Sequence, residues 1–192
     1  MKIRMYLSFI ICFLLTASSI LFSQPFKYNS LQEQMPLDPG VRAGKLTNGI
    51  HYFIKANKKP ENRAEMRLAV NAGATLEDED QNGIAHLVEH MAFNGTSHFP
   101  KNDLINFLES IGMSFGGDLN AYTDYEETVY MIKCPTDSIE LFDKSMLVLE
   151  DWAHNLSFEP KEVDKEKGVV IEEYRLGKGA EDRVWKKHEK IF

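Results

Sequence analysis

Cysteine is scarce in this chain: Cys12 and Cys134 are the only two among 192 residues, and Cys12 lies inside an N-terminal apolar run. With that run set aside one thiol remains, so no internal disulfide framework can hold the fold together. Basic charge is also in deficit. Lys and Arg number 22 against 29 Asp and Glu, a net charge of −7. That balance withholds the basic face a nucleic-acid binder uses against phosphate, and no nucleic-acid partner is expected. There is no internal repeat and no low-complexity tract, which excludes solenoid architectures. What the chain does have is 43% hydrophobic residues, enough for an ordinary globular core.

The first residues differ in kind from the rest. "MKIRM" is basic, "YLSFIICFLLTASSILF" is apolar and uncharged, and "SQPFKYNSLQEQMPLDPG" is polar and rich in turn formers. This order predicts a secretory signal peptide over residues 1–24, cleaved near Ser23 or Gln24. Left uncleaved, the same run would approach the length of a membrane span, and only then is a membrane contact expected. Ile11 precedes Cys12 where a lipidation site wants a small residue, so lipidation is not expected. Residues 25–40 read as a tether, and residues 41–192 as the folded domain.

Within that domain, Asn48-Gly49 sits between two apolar runs and marks a hairpin. "RAEMRLAVNAG" alternates through Met66, Leu68 and Val70 as a third strand. Asn94-Gly95 closes a helix that begins after the acidic loop "EDEDQNG". Leu104, Phe107, Leu108 and Ile111 define a second helix ending at Gly112. "MSFGGDLNAYTDYEETVYMIKCP" reads as two strands joined by a turn near Thr123-Asp124, with Cys134 as a packed core residue. Thr136 and Asp137 are expected to cap a third helix with Ile139, Phe142, Met146, Leu149 and Ala153 as its apolar stripe. A fourth helix starts at Pro160. The order predicts an α+β fold, a largely antiparallel sheet with helices packed on it.

The chemistry concentrates in "AHLVEHMAFNGT". On a helix at about 100° per residue, His86, Glu89, His90 and Phe93 share one side, opposite Ile84, Leu87, Val88 and Met91. Histidines at i and i+4 can reach one tetrahedral zinc, and Glu89 beside them can take a proton from water activated by the metal. A wet helix face is the plain alternative, but such a face normally mixes charges, and this one carries no Lys or Arg. The spelling H-x-x-E-H is also the inverted zinc-peptidase signature. Such a site needs a third protein ligand. In "EVDKEKGVVIEEYR", Val163, Glu166, Val170, Glu173 and Tyr174 fall along one stripe, while Glu172 lies on the other side with Lys165. Carboxylates in an apolar stripe are costly without partners, and a divalent metal would supply one; buried ion pairs would supply another.

The segments "GKLTNGIHYFIKAN", "RLAVNAGATLEDEDQNGIAHLVEHMAFNGTSHFP", "LNAYTDYEETVYM" and "EKGVVIEEYR", in this order, carry a resemblance to the pitrilysin/insulysin family of inverted-motif zinc peptidases. The sequence looks most like the periplasmic bacterial members, and the resemblance runs from about Pro36 to the end. It implies one zinc ion held by His86, His90 and Glu173, with Glu89 as general base and Glu166 as a carboxylate behind the ligands. It further implies that Asn120, Ala121, Tyr122 and Thr123 form a strand that pairs with extended peptide substrate through main-chain hydrogen bonds. The implied activity is a zinc metalloendopeptidase acting on peptides or unfolded segments in the periplasm. Members of this family are built from paired halves, so the resemblance also implies that residues 41–192 are an incomplete N-terminal domain needing a further half or a partner chain. A catalytically incomplete fragment or non-catalytic subunit that binds zinc or peptide on the same fold is the alternative. S-ribosylhomocysteine lyase shares the inverted motif, but the signal segment, "NAYT" and "EKGVVIEEY" speak against it.

Overall fold

A computed structural model describes residues 36–113 and 121–179, together with 183, 184 and 187. The expected signal peptide, most of the tether, the start of the strand leading to Asn120, and the end of the last helix lie outside the described residues. The chain divides into two compact units, one ending at Ala56 and the other beginning at Asn57.

The first unit holds the hairpin. Strands β1 (Val41–Lys45) and β2 (His51–Lys55) pair antiparallel from Val41↔Lys55 to Lys45↔His51. Gly49 takes φ +96°, and the Asn48 side-chain oxygen accepts from the Ile50 N–H at 3.2 Å. An Asn-Gly pair suits this turn because only glycine enters that backbone region without a Cβ penalty.

Among the described residues, the second unit holds a three-stranded antiparallel sheet and four α-helices. Strand β3 (Arg63–Val70) pairs along its whole length with β5 (Thr128–Pro135), and β4 (Ala121–Thr123) pairs with the start of β5, giving the order β3-β5-β4. The central strand carries the core: Val129, Tyr130, Ile132 and Cys134 are all buried. Cys134 is thus a packed residue, and burial pushes its thiol pKa upward. Gly73 follows β3 and lies so close to the Asp124 and Tyr125 main chain that a Cβ there would collide with it. A single 3-10 turn (Ala74–Leu76) then ties this segment to the β4–β5 turn, with Ala74 and Thr75 N–H donating to the Asp124 and Tyr125 carbonyls at 3.1 and 2.8 Å.

Helix α1 (Ile84–Asn94) carries the motif, and α2 (Asp103–Ser110) buries Leu104, Phe107 and Leu108 in the core. Gly95 (φ +143°) and Gly112 (φ +88°) follow these helices as the sequence signals require. Helix α3 (Ile139–His154) packs on the sheet, and α4 (Pro160–Gly177) packs on α1.

Two expectations for α3 are corrected. Its cap is Ser138, whose side chain accepts from Leu141 N–H at 3.4 Å, and not Thr136 or Asp137. Its inward face is Ser145, Val148, Asp151 and Trp152. Of the expected stripe, Ile139 (69%) and Met146 (47%) are exposed, while Phe142 and Leu149 only flank the core. The phase slipped because two polar residues point inward. Ser145 is small enough to let the helix approach the sheet, and its hydroxyl is satisfied by the Leu141 carbonyl at 2.8 Å. Asp151, fully buried, accepts from the Thr96 hydroxyl, from His98 Nδ1 at 2.7 Å and main-chain N–H at 3.1 Å, and from Asn155 Nδ2 at 3.0 Å. Beside it, Trp152 Nε1 donates to the Ala92 carbonyl at 2.9 Å, and its ring meets Phe93 and Tyr130. Asp151 and Trp152 together anchor the C-terminal end of α1 and the loop that follows it.

Burial alone would raise the Asp151 pKa from its ordinary 3.8, but the hydrogen bonds from Thr96, His98 and Asn155 together outweigh it and hold the group lower. A depressed carboxylate pKa contributes stability that is present above the unfolded value and lost as pH falls through the folded one. Asp151→Asn should therefore cost about 1–3 kcal/mol at neutral pH, and its deficit against wild type should shrink below about pH 4. Urea unfolding across pH checks this. A deficit that stays constant down the acid limb would refute it.

Candidate metal centre

The centre is built by two helices meeting face to face. Helix α1 presents His86 in its first turn and His90 one turn later; α4 presents Glu166 and, two turns on, Glu173. His90 Nε2 lies 3.2 Å from His86 Nε2 and 3.4 Å from Glu173 Oε2, and His86 Nε2 lies 3.5 Å from the same oxygen. Among the described residues these three are the cluster able to share a metal ion. The donor set fits one: a triangle with these edges is a face of a tetrahedron whose centre lies about 2.0–2.1 Å from each donor, the span of zinc–imidazole and zinc–carboxylate bonds. The chemistry agrees with the geometry. Two imidazole nitrogens and a carboxylate oxygen facing inward present lone pairs to one another, which a shared cation makes favourable.

Of the three, His90 is held from behind. His90 Nδ1 lies 3.2 Å from Glu166 Oε2; a proton on this nitrogen would be donated to the carboxylate and would leave the Nε2 lone pair facing His86 and Glu173. Glu166 is the buried member of the set, with a side chain 11% exposed against 49% for Glu173. Lys165 stands 3.9 Å from its other oxygen. Glu172 points away and meets Arg175 at 3.5 Å. The donors are covered on the His90 side and open to solvent on the side of His86 and Glu173, which leaves an approach for a further ligand.

Glu89 sits beside the triangle, and its Oε2 accepts from the Thr123 hydroxyl at 2.7 Å. Tyr130 is near enough to feel its charge. Burial first, then the Glu89 charge, pushes the Tyr130 phenol up to about 12, so it stays neutral.

Of the expected substrate strand, Asn120 lies outside the described residues. Ala121 is buried and pairs with Tyr130, Tyr122 pairs with Val129 and donates its hydroxyl to Glu127 at 2.8 Å, and Thr123 turns to Glu89. Strand β4 is the outer strand of its sheet, with no further strand beside it among the described residues.

One residue of the site was missed in the sequence. Glu77 reaches across its loop and accepts from Gly83 N–H and Ala85 N–H, both at 2.7 Å. It caps the first turn of α1, where His86 stands, in place of a local cap, because the cap position is Gly83 at φ +91°. The available signal was a helix beginning without Ser, Thr, Asp or Asn after a loop full of carboxylates; which carboxylate would reach back was not legible.

Both the sequence and the fold match known proteins. Residues 52–188 match the family model described as Insulinase (Peptidase family M16). The chain belongs to that family. It is 47% identical over 146 residues to the Haemophilus influenzae protein named "Probable zinc protease PqqL", covering 76% of this chain and 16% of that protein. The Escherichia coli protein of the same name is 37% identical over 174 residues, covering 91% of this chain and 18% of its relative. The crystal structure of the first half of the periplasmic protease PqqL from Escherichia coli superposes with a TM-score of 0.74 at 38% identity, over 79% of this chain and 32% of that one. The expected α+β fold is thereby borne out, and the chain corresponds to part of the N-terminal half of such proteins, spanning less than a fifth of the length of these curated relatives.

The helical phase of α4 can be tested directly. Glu173→Gln should weaken zinc binding by more than about 100-fold and Glu166→Gln by about 10–100-fold. Glu172→Gln should leave it within about twofold of wild type, since that side chain faces solvent. Competition titration against a chromophoric chelator reads all three. Equal effects at Glu172 and Glu173 would overturn the assignment.

Proposed function

We propose that this chain is the zinc-binding N-terminal part of a periplasmic metalloendopeptidase that cleaves peptides or unfolded segments. The observation that carries the reading is the convergence of His86, His90 and Glu173 on one point with Glu89 beside it. The names of the relatives, zinc proteases and a periplasmic protease, support the same reading. Residues 1–24 would be a signal peptide, residues 25–40 a tether, and residues 41–192 an incomplete N-terminal zinc-peptidase domain. The rest of the active-site wall would come from a further half of the polypeptide or a partner chain.

His86, His90 and Glu173 would hold one zinc ion, and Glu166 would fix the tautomer of His90. Zinc supplies the Lewis acidity that makes water a nucleophile near neutral pH. The chain's own residues do the remainder. Glu89 Oε1, the oxygen that Thr123 leaves free, would accept the proton of the attacking water and pass it to the departing amide nitrogen. Ala121 to Thr123, with Asn120, would align extended substrate along the outer edge of β4 by main-chain hydrogen bonds, while side-chain pockets select the residues on either side of the cleaved bond.

Glu89→Gln preserves shape but cannot take a proton. In the full-length or reconstituted protein it should retain about one zinc per chain and lose roughly 10²–10⁴-fold in turnover of an unstructured quenched peptide. Elemental analysis and the peptide assay together check it. Wild-type turnover in this variant would show that Glu89 is not the base.

A further inference from the structure

Thr123 is the last residue of β4, and its hydroxyl donates to the Glu89 carboxylate. We propose that Thr123 is the positioning residue for Glu89, and that through it the base and the substrate-pairing strand share one register. The inference rests on the peptidase reading above and adds a role to this site.

Glu89 has three rotatable side-chain bonds and is one residue from His90 and three from His86 on the same helix. Among the described residues, its carboxylate is hydrogen-bonded from outside α1. The hold comes from the neighbouring sheet, where Thr123 Oγ1 donates to Glu89 Oε2 at 2.7 Å. Three features make that donor directional. Thr123 is β-branched and sits on a strand, where χ1 is restricted. It is directly opposite Thr128 in the β4–β5 pair, and Thr128 donates its single hydroxyl proton to the Ala72 carbonyl at 2.8 Å. Thr128 Oγ1 lies 3.5 Å from Thr123 Oγ1, too far to compete with Glu89 Oε2 at 2.7 Å for the Thr123 proton. Finally, the turn after Thr123 is closed by Asp124 N–H to the Glu127 carbonyl at 2.8 Å and braced by Ala74 N–H to the Asp124 carbonyl at 3.1 Å. A hydrogen bond to an ionised group in such a setting is strong and short. It occupies one carboxylate oxygen and leaves the other to meet water. A peptide paired with β4 would then lie at a fixed offset from the base, because the same strand sets both positions.

The test compares Thr123→Val, which keeps shape and removes the hydroxyl, with Thr123→Ser, which keeps the hydroxyl, in the zinc-loaded full-length protein. Thr123→Val should lower kcat about tenfold or more with KM within about twofold and zinc content unchanged, and Thr123→Ser should restore most of kcat. A phosphinic peptide, whose tetrahedral oxygens meet the base, reads the same contact without turnover; its Kd should rise about tenfold in the valine variant and stay near wild type in the serine variant. Wild-type kcat and phosphinate affinity in Thr123→Val would overturn the proposal, as would a serine variant as impaired as valine. A change in KM alone would also overturn it, by assigning Thr123 to substrate binding. Full turnover in Glu89→Gln would instead sink the peptidase mechanism itself, whereas an inactive Glu89→Gln beside a normal Thr123→Val would sink only the positioning role.

Discussion

The contact between His90 Nδ1 and the Glu166 carboxylate, 3.2 Å long and the least exposed polar pair at the helix interface, is what the arrangement of the centre depends on. It lies between α1 and α4, and a carboxylate there would be costly without a donor. With one, it ties the His90 ring on α1 to the face of α4 that carries Glu166. Glu173, seven residues further along, then falls on the same face after two turns and brings its oxygen to within 3.4–3.5 Å of both imidazole nitrogens. A buried polar contact of this kind adds little net stability. Its effect here is on geometry.

Helix α1 is held at both ends and on its flank by groups drawn from distant parts of the chain. Glu77 accepts from the Gly83 and Ala85 N–H groups at the start, Trp152 donates to the Ala92 carbonyl near the other end, and Asp151 gathers the loop that follows. Thr123 approaches from the sheet to reach Glu89. His90 and Glu89 therefore sit on regular structure with a partner from another element, Glu166 and Thr123 respectively, which is what a site needs in order to keep its groups in place. Gly73 belongs to the same scheme, since only a residue without Cβ lets the 3-10 turn lie against the β4–β5 turn that positions Thr123.

Much of this was legible in the residues themselves, because it depends on local rules. The i, i+4 spacing of His86 and His90, the seven-residue spacing of Glu166 and Glu173, the glycines after α1 and α2, and the Asn48-Gly49 turn each follow from helix or turn geometry over a few residues. The α+β class and the family follow from the order of such segments. The phase of α3 was misread because Asp151 and Ser145 look like surface residues and are buried; their hydrogen-bond partners, Thr96 and His98 in one case and the helix's own Leu141 carbonyl in the other, are not visible in a pattern of apolar spacing.

What the sequence determined by itself was the set of donors: which helix faces carry His86, Glu89 and His90, which carry Glu166 and Glu173, and that Glu172 points away. Periodicity along one helix is a property of the backbone and needs no neighbour. Only the tertiary structure decided that the two faces meet at the separation of a metal's coordination triangle, that Glu77 caps α1 from 6 and 8 residues away, and that Thr123 is turned to Glu89 from 34 residues away. Those are contacts between elements, and their distances depend on how sheet and helices pack, a quantity that no local spacing encodes.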